Sequence, residues 1–185
     1  ENTPLPNNRI LFDMANRMGS IDESGDLHWE PKISERVGRI STPSVTDGDA
    51  VYLPNASVLI KYEPESDTSV WTYEAFDAIT SSITIHDDLV IFGAEDNSVY
   101  ALDRVTGEQV WRFQTNDYVR AGPIGVGQTV YIGSADGTVY AVDRRQGDER
   151  ASLELDGPVG SLGQSGEFLY AGTTAGLYGL KKGPT

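Results

Sequence analysis

The chain has no cysteine, and only two histidines and three tryptophans among its 185 residues. Without cysteine there is no disulfide, no thiol nucleophile and no thiolate metal site. His28 and His86 stand far apart and give no zinc-like spacing. Positive charge is scarce. The 14 Lys and Arg face 28 Asp and Glu, for a net charge of -14, and only four cations are lysines (Lys32, Lys61, Lys181 and Lys182). Such a chain repels phosphate backbones, so nucleic acid is excluded as a partner. No apolar run approaches the ~18 residues of a membrane span, so no membrane insertion is expected. An acidic, lysine-poor surface stays soluble when salt screens its charges, which suits a high-salt setting and an ordinary acidic secreted domain equally. A basic-then-apolar leader is also missing. The opening ENTPLPNN is polar and Pro-rich, so residues 1–8 read as a flexible linker or a processed end.

What the chain does have is a repeat. SVYALDRVTGEQVW (Ser98–Trp111) returns forty residues later as TVYAVDRRQGDERA (Thr138–Ala151). Val90, Gly93, Asp96, Val99, Tyr100, Ala101, Asp103, Arg104 and Gly107 all meet identical residues at that shift, and Trp111 meets Trp71 in the other direction. The register decays towards both ends. Glu167–Gly183 matches with one residue lost, and Arg9–Trp29 keeps Asp22, Gly25 and Trp29 with a shortened turn.

Each unit reads as four short strands. In one unit they fall at 119–126, 129–134, 138–143 and 149–155. Alternating apolar residues mark the strands, and Asp96-Asn97, Asp136-Gly137, Thr106-Gly107 and Gln146-Gly147 mark the turns. Helix is hard to place anywhere, with Phe12–Gly19 the least strand-like segment. Four antiparallel strands per forty residues make a β-propeller blade. The first strands are rich in Gly, Ser, Thr and Ala, as the crowded axis of a propeller requires. The expected fold is therefore all-β, with about four to five blades in units near 9–37, 38–78, 79–118, 119–157 and 158–183. The first unit shows no clear first strand and the last shows no fourth, for 18 strands in all. Such a chain closes as a small ring of about five blades, forms an open half-ring that pairs with a second copy, or is one fragment of a larger protein.

The repeated stretch carries a resemblance. Ala101, Asp103, Thr106, Gly107 and Trp111 resemble the tryptophan-docking motif A-x-D-x-x-T-G-x-x-x-W of the quinoprotein-like (PQQ-repeat) β-propellers. Ala141, Asp143 and Gly147 repeat part of it, with Ala151 in the tryptophan position; Trp71 and Trp29 mark weaker copies. Each residue has a structural use. Gly107 permits a positive φ, Asp103 can accept turn N–H groups, Thr106 adds a local bond, and Trp111 packs on the neighbouring blade. Catalytic members of the family are implied to hold a quinone and Ca²⁺ over a complete ring, often against a disulfide of adjacent cysteines. This chain has neither the cysteines nor enough repeats. The expectation is no enzyme activity, no cofactor and no metal. The family also includes an outer-membrane assembly lipoprotein and ectodomains of sensor kinases. The resemblance thus implies an extracytoplasmic scaffold or sensor that binds a protein partner or a second copy. The alternatives are a diverged or fragmentary PQQ-dependent oxidoreductase and a purely structural repeat with no ligand.

Remaining motifs add little chemistry. Asp87-Asp88 and Asp47 with Asp49 read as solvated turn acids, outside the Ca²⁺-loop pattern. Gly125-Val-Gly127 lacks the helix that phosphate binding needs. The links between units carry Phe76, Asp77, Asn116, Tyr118 and Arg120, an aromatic and mixed-charge set that serves either as an interaction surface or as packing caps. The lost tryptophan at Ala151 marks the seam where a partner or second copy is first sought.

Overall fold

The computed structural model describes residues 42–182 apart from 65 and 67, with Ser24, Asp26 and the strand backbones at 3–5, 9–14, 17–21 and 27–29. Every regular element among them is a strand. The chain forms two compact units, residues 1–79 and 80–185.

The first unit holds two four-stranded antiparallel sheets. Sheet 1 runs β1 (Thr3–Leu5), β2 (Arg9–Met14), β3 (Arg17–Ile21) and β4 (Leu27–Trp29). Sheet 2 runs β5 (Val45–Thr46), β6 (Val51–Asn55), β7 (Val58–Glu63) and β8 (Thr68–Glu74). Sheet 1 differs from the sequence reading. It has a first strand, β1, inside the stretch read as a linker, pairing Thr3 with Leu11 and Leu5 with Arg9. Three residues centred on Pro4 show no alternation to detect. Proline is tolerated there because β1 is an edge strand. Most of Phe12–Gly19 lies in β2 and β3 rather than in a helical turn.

The second unit holds three sheets. Sheet 3 is β9 (Thr84–His86), β10 (Leu89–Gly93), β11 (Ser98–Asp103) and β12 (Gln109–Gln114). Sheet 4 is β13 (Ile124–Val126), β14 (Thr129–Gly133), β15 (Thr138–Asp143) and β16 (Glu149–Glu154). Sheet 5 is three-stranded: β17 (Val159–Ser165), β18 (Phe168–Thr173) and β19 (Leu177–Lys181).

Every sheet is a sequential antiparallel meander, which short turns allow and parallel pairing would not. The same irregularity recurs at one repeat position. The register between third and fourth strands shifts at Lys61/Tyr62, Ala101/Leu102 and Ala141/Val142. A bulge there bends the outer strand and increases its twist. Middle strands are buried on both faces, as in β10, where all of Leu89–Gly93 is buried. Burial on both faces means that sheets stack face to face, which accounts for the continuous apolar runs. Between sheets 3 and 4 the core includes Leu89, Ile91, Val99, Trp111, Val130, Ile132, Tyr140 and Val142. Between sheets 4 and 5 it is Val139, Val159, Leu169 and Ala171.

Candidate functional site

The repeated motif folds into one turn, used twice in the second unit. Asp103 accepts at Oδ1 from the N–H groups of Val105 (2.9 Å) and Thr106 (2.8 Å). Asp143 does the same for Arg145 (2.8 Å) and Gln146 (2.9 Å). Thr106 Oγ1 accepts from the Glu108 N–H at 3.2 Å. The turn closes through a left-handed glycine, with φ +75° at Gly107 and +73° at Gly147. Hydrogen bonding from the Gln146 N–H, then from Arg150, holds the Asp143 carboxyl below its usual range.

Trp111 docks onto the second copy of this turn. Its side chain stands cross-strand from the buried Ala101, and Nε1 donates to the Arg144 carbonyl at 2.7 Å. The indole lies against Gly147, where a Cβ would come within 2.8 Å of the ring. Glycine at 147 therefore serves both the backbone conformation and the close approach. Trp71 lies in β8 with its ring 5.8 Å from that of Tyr52. Trp29 falls in β4, and its side chain lies outside the described residues.

The next residue, Arg144, is the part of this seam that the sequence reading missed. Its side chain is only 8% exposed and reaches back to the β9–β10 turn. There it pairs with Asp88 and, at 3.3 Å, with Asp87. These two acids are solvated as read, yet they neutralise a buried guanidinium.

The links form a second constellation at the hairpin end of the sheets. Thr115 Oγ1 donates to the carbonyls of Asn97 (2.8 Å) and Asp117 (2.6 Å). The Asn116 N–H donates to Asp136 Oδ2 at 3.0 Å, and Ser134 Oγ to the Asp117 carbonyl at 3.0 Å. The link is thereby fixed to its own hairpin and to the next. Burial opposes the charge on Asp136, but bonds from Tyr140, Thr138 and Asn116 outweigh it and lower its pKa. Burial, then the bond to Asp136, pushes the Tyr140 hydroxyl up to about 12.

On this fixed link stands Arg120. Its guanidinium lies 4.5 Å from the Tyr118 ring centroid and 4.0 Å from Glu95, and its side chain is 59% exposed. It lines two open cavities. One, of about 520 Å³, is bounded by Tyr118, Pro158, Gly160 and Thr174. The other, of about 350 Å³, is bounded by Ser82, Thr84, Gly122 and Ser161, the small first-strand positions. The structure thus brings Asn116, Tyr118 and Arg120 together in the second unit. Phe76 and Asp77 belong to the first unit. Phe76 is 79% exposed, and Asp77 accepts from the Ala78 N–H at 2.8 Å.

Residues 14–165 match the family profile described as outer membrane protein assembly factor BamB. Among solved structures, BamB from Moraxella catarrhalis superposes with a TM-score of 0.68 at 21% identity, covering 98% of this chain and 60% of that one. This chain therefore spans less than two thirds of BamB's length. The computationally designed Ika4 protein gives a TM-score of 0.71 at 17% identity, covering 78% and 92%. A chain of the mitotic checkpoint complex gives 0.70 at 14% identity, covering 93% and 56%. No curated protein matches by sequence. Identities this low establish the fold, a β-propeller architecture of antiparallel blades. The profile match over most of the chain establishes the family: this chain belongs to the PQQ-like repeat family of outer membrane protein assembly factor BamB.

Proposed function

We propose that the chain is a non-catalytic, extracytoplasmic protein-binding module, a scaffold or sensor whose partner-facing surface is the link-and-hairpin face around Arg120. The observation that carries this reading is an exposed guanidinium beside Tyr118, on a rigid link between two open cavities. Arginine and tyrosine are the residues that dominate protein interfaces, and a pre-ordered link lowers the entropic cost of binding. Phe76 and Asp77 offer a similar exposed surface in the first unit. The family's description, an assembly factor for outer membrane proteins, supports both a protein partner and a location outside the cytoplasm.

Two features support the absence of catalysis. Asp103 and Asp143 make the same turn contacts in successive sheets, and a repeated construction element gives no asymmetric site. Asp136 and Asp143, two carboxylates whose pKa is lowered, are held ionised rather than poised near neutrality as a general acid or base would be.

A photo-crosslinking residue placed at position 120 tests the reading, with the exposed Val105 in the motif turn as control. A discrete protein adduct at 120 and none at 105 is expected. Equal labelling at both positions, or saturable binding of PQQ with Ca²⁺, would overturn it.

A further inference from the structure

The third strand–fourth strand seam is built differently at its last occurrence. At the sheet 3–4 seam, position 111 is a tryptophan, buried to 5% exposure, and Phe113 packs beside it. Forty residues on, the corresponding positions are Ala151 and Leu153. Ala151 pairs with Ala141 just as Trp111 pairs with Ala101. Every residue of β16 is exposed, including Leu153 at 48%. In the space lies a groove of about 310 Å³ between sheets 4 and 5. Its floor is apolar, formed by Tyr131, Val139, Ala151, Leu153, Leu169 and Leu180. It has the position of the indole one sheet earlier and volume enough for a tryptophan side chain.

The rim is cationic. Arg150, Lys181 and Lys182 all line the groove, three of only 14 cations in a chain with 28 acids. Arg150 is held by an ion pair with Asp143 and a bond to Thr129, whereas the lysines are lightly committed: Lys181 meets Glu167 at 3.7 Å in the open, and Lys182 Nζ meets Gln164 at 3.2 Å. An apolar slot of indole size with ammonium and guanidinium groups at its mouth selects an aromatic ring that carries carboxylates beside it.

We infer that this groove is a docking site for a tryptophan side chain flanked by acidic residues on a partner protein, which supplies from outside the ring that Ala151 lacks. The groove is separate from the Arg120 surface, and its occupancy does not depend on that surface being an interface.

The test uses the full chain, ¹⁵N-labelled, titrated with the probe peptide acetyl-Glu-Asp-Trp-Asp-Glu amide. Saturable shifts are expected at the amides of Ala151, Leu153, Leu169 and Leu180. Replacing the probe's tryptophan by alanine should weaken binding at least tenfold. Ala151→Trp should fill the groove, raise the melting temperature and abolish the shifts. Lys181→Gln with Lys182→Gln, which removes the charges while keeping the length and polarity of the side chains, should weaken binding several-fold and flatten its salt dependence, with the unchanged thermal melt showing that the variant is folded. Shifts confined to the Arg120 link, or binding unchanged in both variants, would overturn the inference. So would groove amides that move with protein concentration alone, since the occupant would then be a second copy. Labelling at position 120 reads a different surface, so failure of either experiment leaves the other standing.

Discussion

Removing the indole of Trp111 should destabilise the second unit more than any other single truncation at the sheet 3–4 seam. The side chain is 5% exposed, belongs to the core between sheets 3 and 4, and donates to the Arg144 carbonyl at 2.7 Å. Truncating a buried tryptophan to alanine costs ~3–5 kcal/mol through lost transfer energy and the cavity left behind. Trp111→Phe keeps most of the apolar body but leaves a buried carbonyl without its donor, which costs ~1–3 kcal/mol. The two variants should therefore fall in that order. Gly147 provides a second handle. In the native protein, Gly147→Ala meets both the left-handed φ of +73° and the Trp111 ring. In the Trp111→Ala background the ring clash is gone, and only the backbone cost of about 1–2 kcal/mol remains. The pair should be non-additive in a double-mutant cycle. Urea unfolding followed by far-UV circular dichroism, with hydrogen exchange at sheets 3 and 4 to localise the effect, measures all four states. A Trp111→Ala change within ~0.5 kcal/mol, or strict additivity with Gly147→Ala, would refute the docking argument.

The Arg144 pair should be asymmetric: Asp87→Asn with Asp88→Asn strands a buried guanidinium and should cost ~2 kcal/mol or more, whereas Arg144→Met leaves two solvated acids, removes an Nε with no partner, and should cost less by the same urea assay. At alkaline pH, the raised pKa of Tyr140 means full stability below about 10 and progressive loss up to about 12; Tyr140→Phe should flatten that slope in thermal melts. At acid pH the lowered pKa values of Asp136 and Asp143 work the other way. Their contribution is present above the ordinary carboxylate value and lost as pH falls through the folded value, so the urea midpoint should drop below about pH 4, and less so in Asp136→Asn.

The architecture was legible because a repeat protein writes its packing rules several times. Strand, turn and bulge positions recur at 61, 101 and 141, since each sheet must present the same faces to its neighbours. The left-handed turns were visible as Gly107 and Gly147, where few other residues fit. What escaped was short, or held by partners distant in sequence. Strand β1 has three residues with a central proline, too few to show an alternating pattern. The Arg144–Asp88 pair joins residues 56 apart, on rims that the sequence presents as unrelated turns. A signal existed: Asp47 and Asp87, and Arg104 and Arg144, each recur forty residues apart. Of the candidate surface, the residue types on the link were legible. Its rigidity was not, because it depends on carbonyls of Asn97 and Asp117 and the carboxylate of Asp136.

The loss of the tryptophan at 151 has an energetic consequence that hydrogen exchange can measure. The sheet 3–4 core includes the buried Trp111, whereas the sheet 4–5 core has four buried residues, Val139, Val159, Leu169 and Ala171, with Ile124, Tyr131, Leu155, Leu162 and Leu180 only half-buried against them. The turn at Asp143 does not depend on the missing plug, because its bonds to Arg145 and Gln146 are internal to the turn. The fourth strand of sheet 4 is thus held by backbone pairing and little side-chain packing. Local opening needs less free energy where fewer apolar contacts must be broken. Native-state exchange should therefore show β16 opening more easily than its counterpart β12, by up to ~3 kcal/mol, a difference of the order a buried tryptophan supplies. Ala151→Trp, or saturation with an acidic tryptophan peptide, should close most of that gap. Equal protection across the two seams would mean that the groove is already held shut by contacts within the chain, and Ala151 would then be a silent substitution.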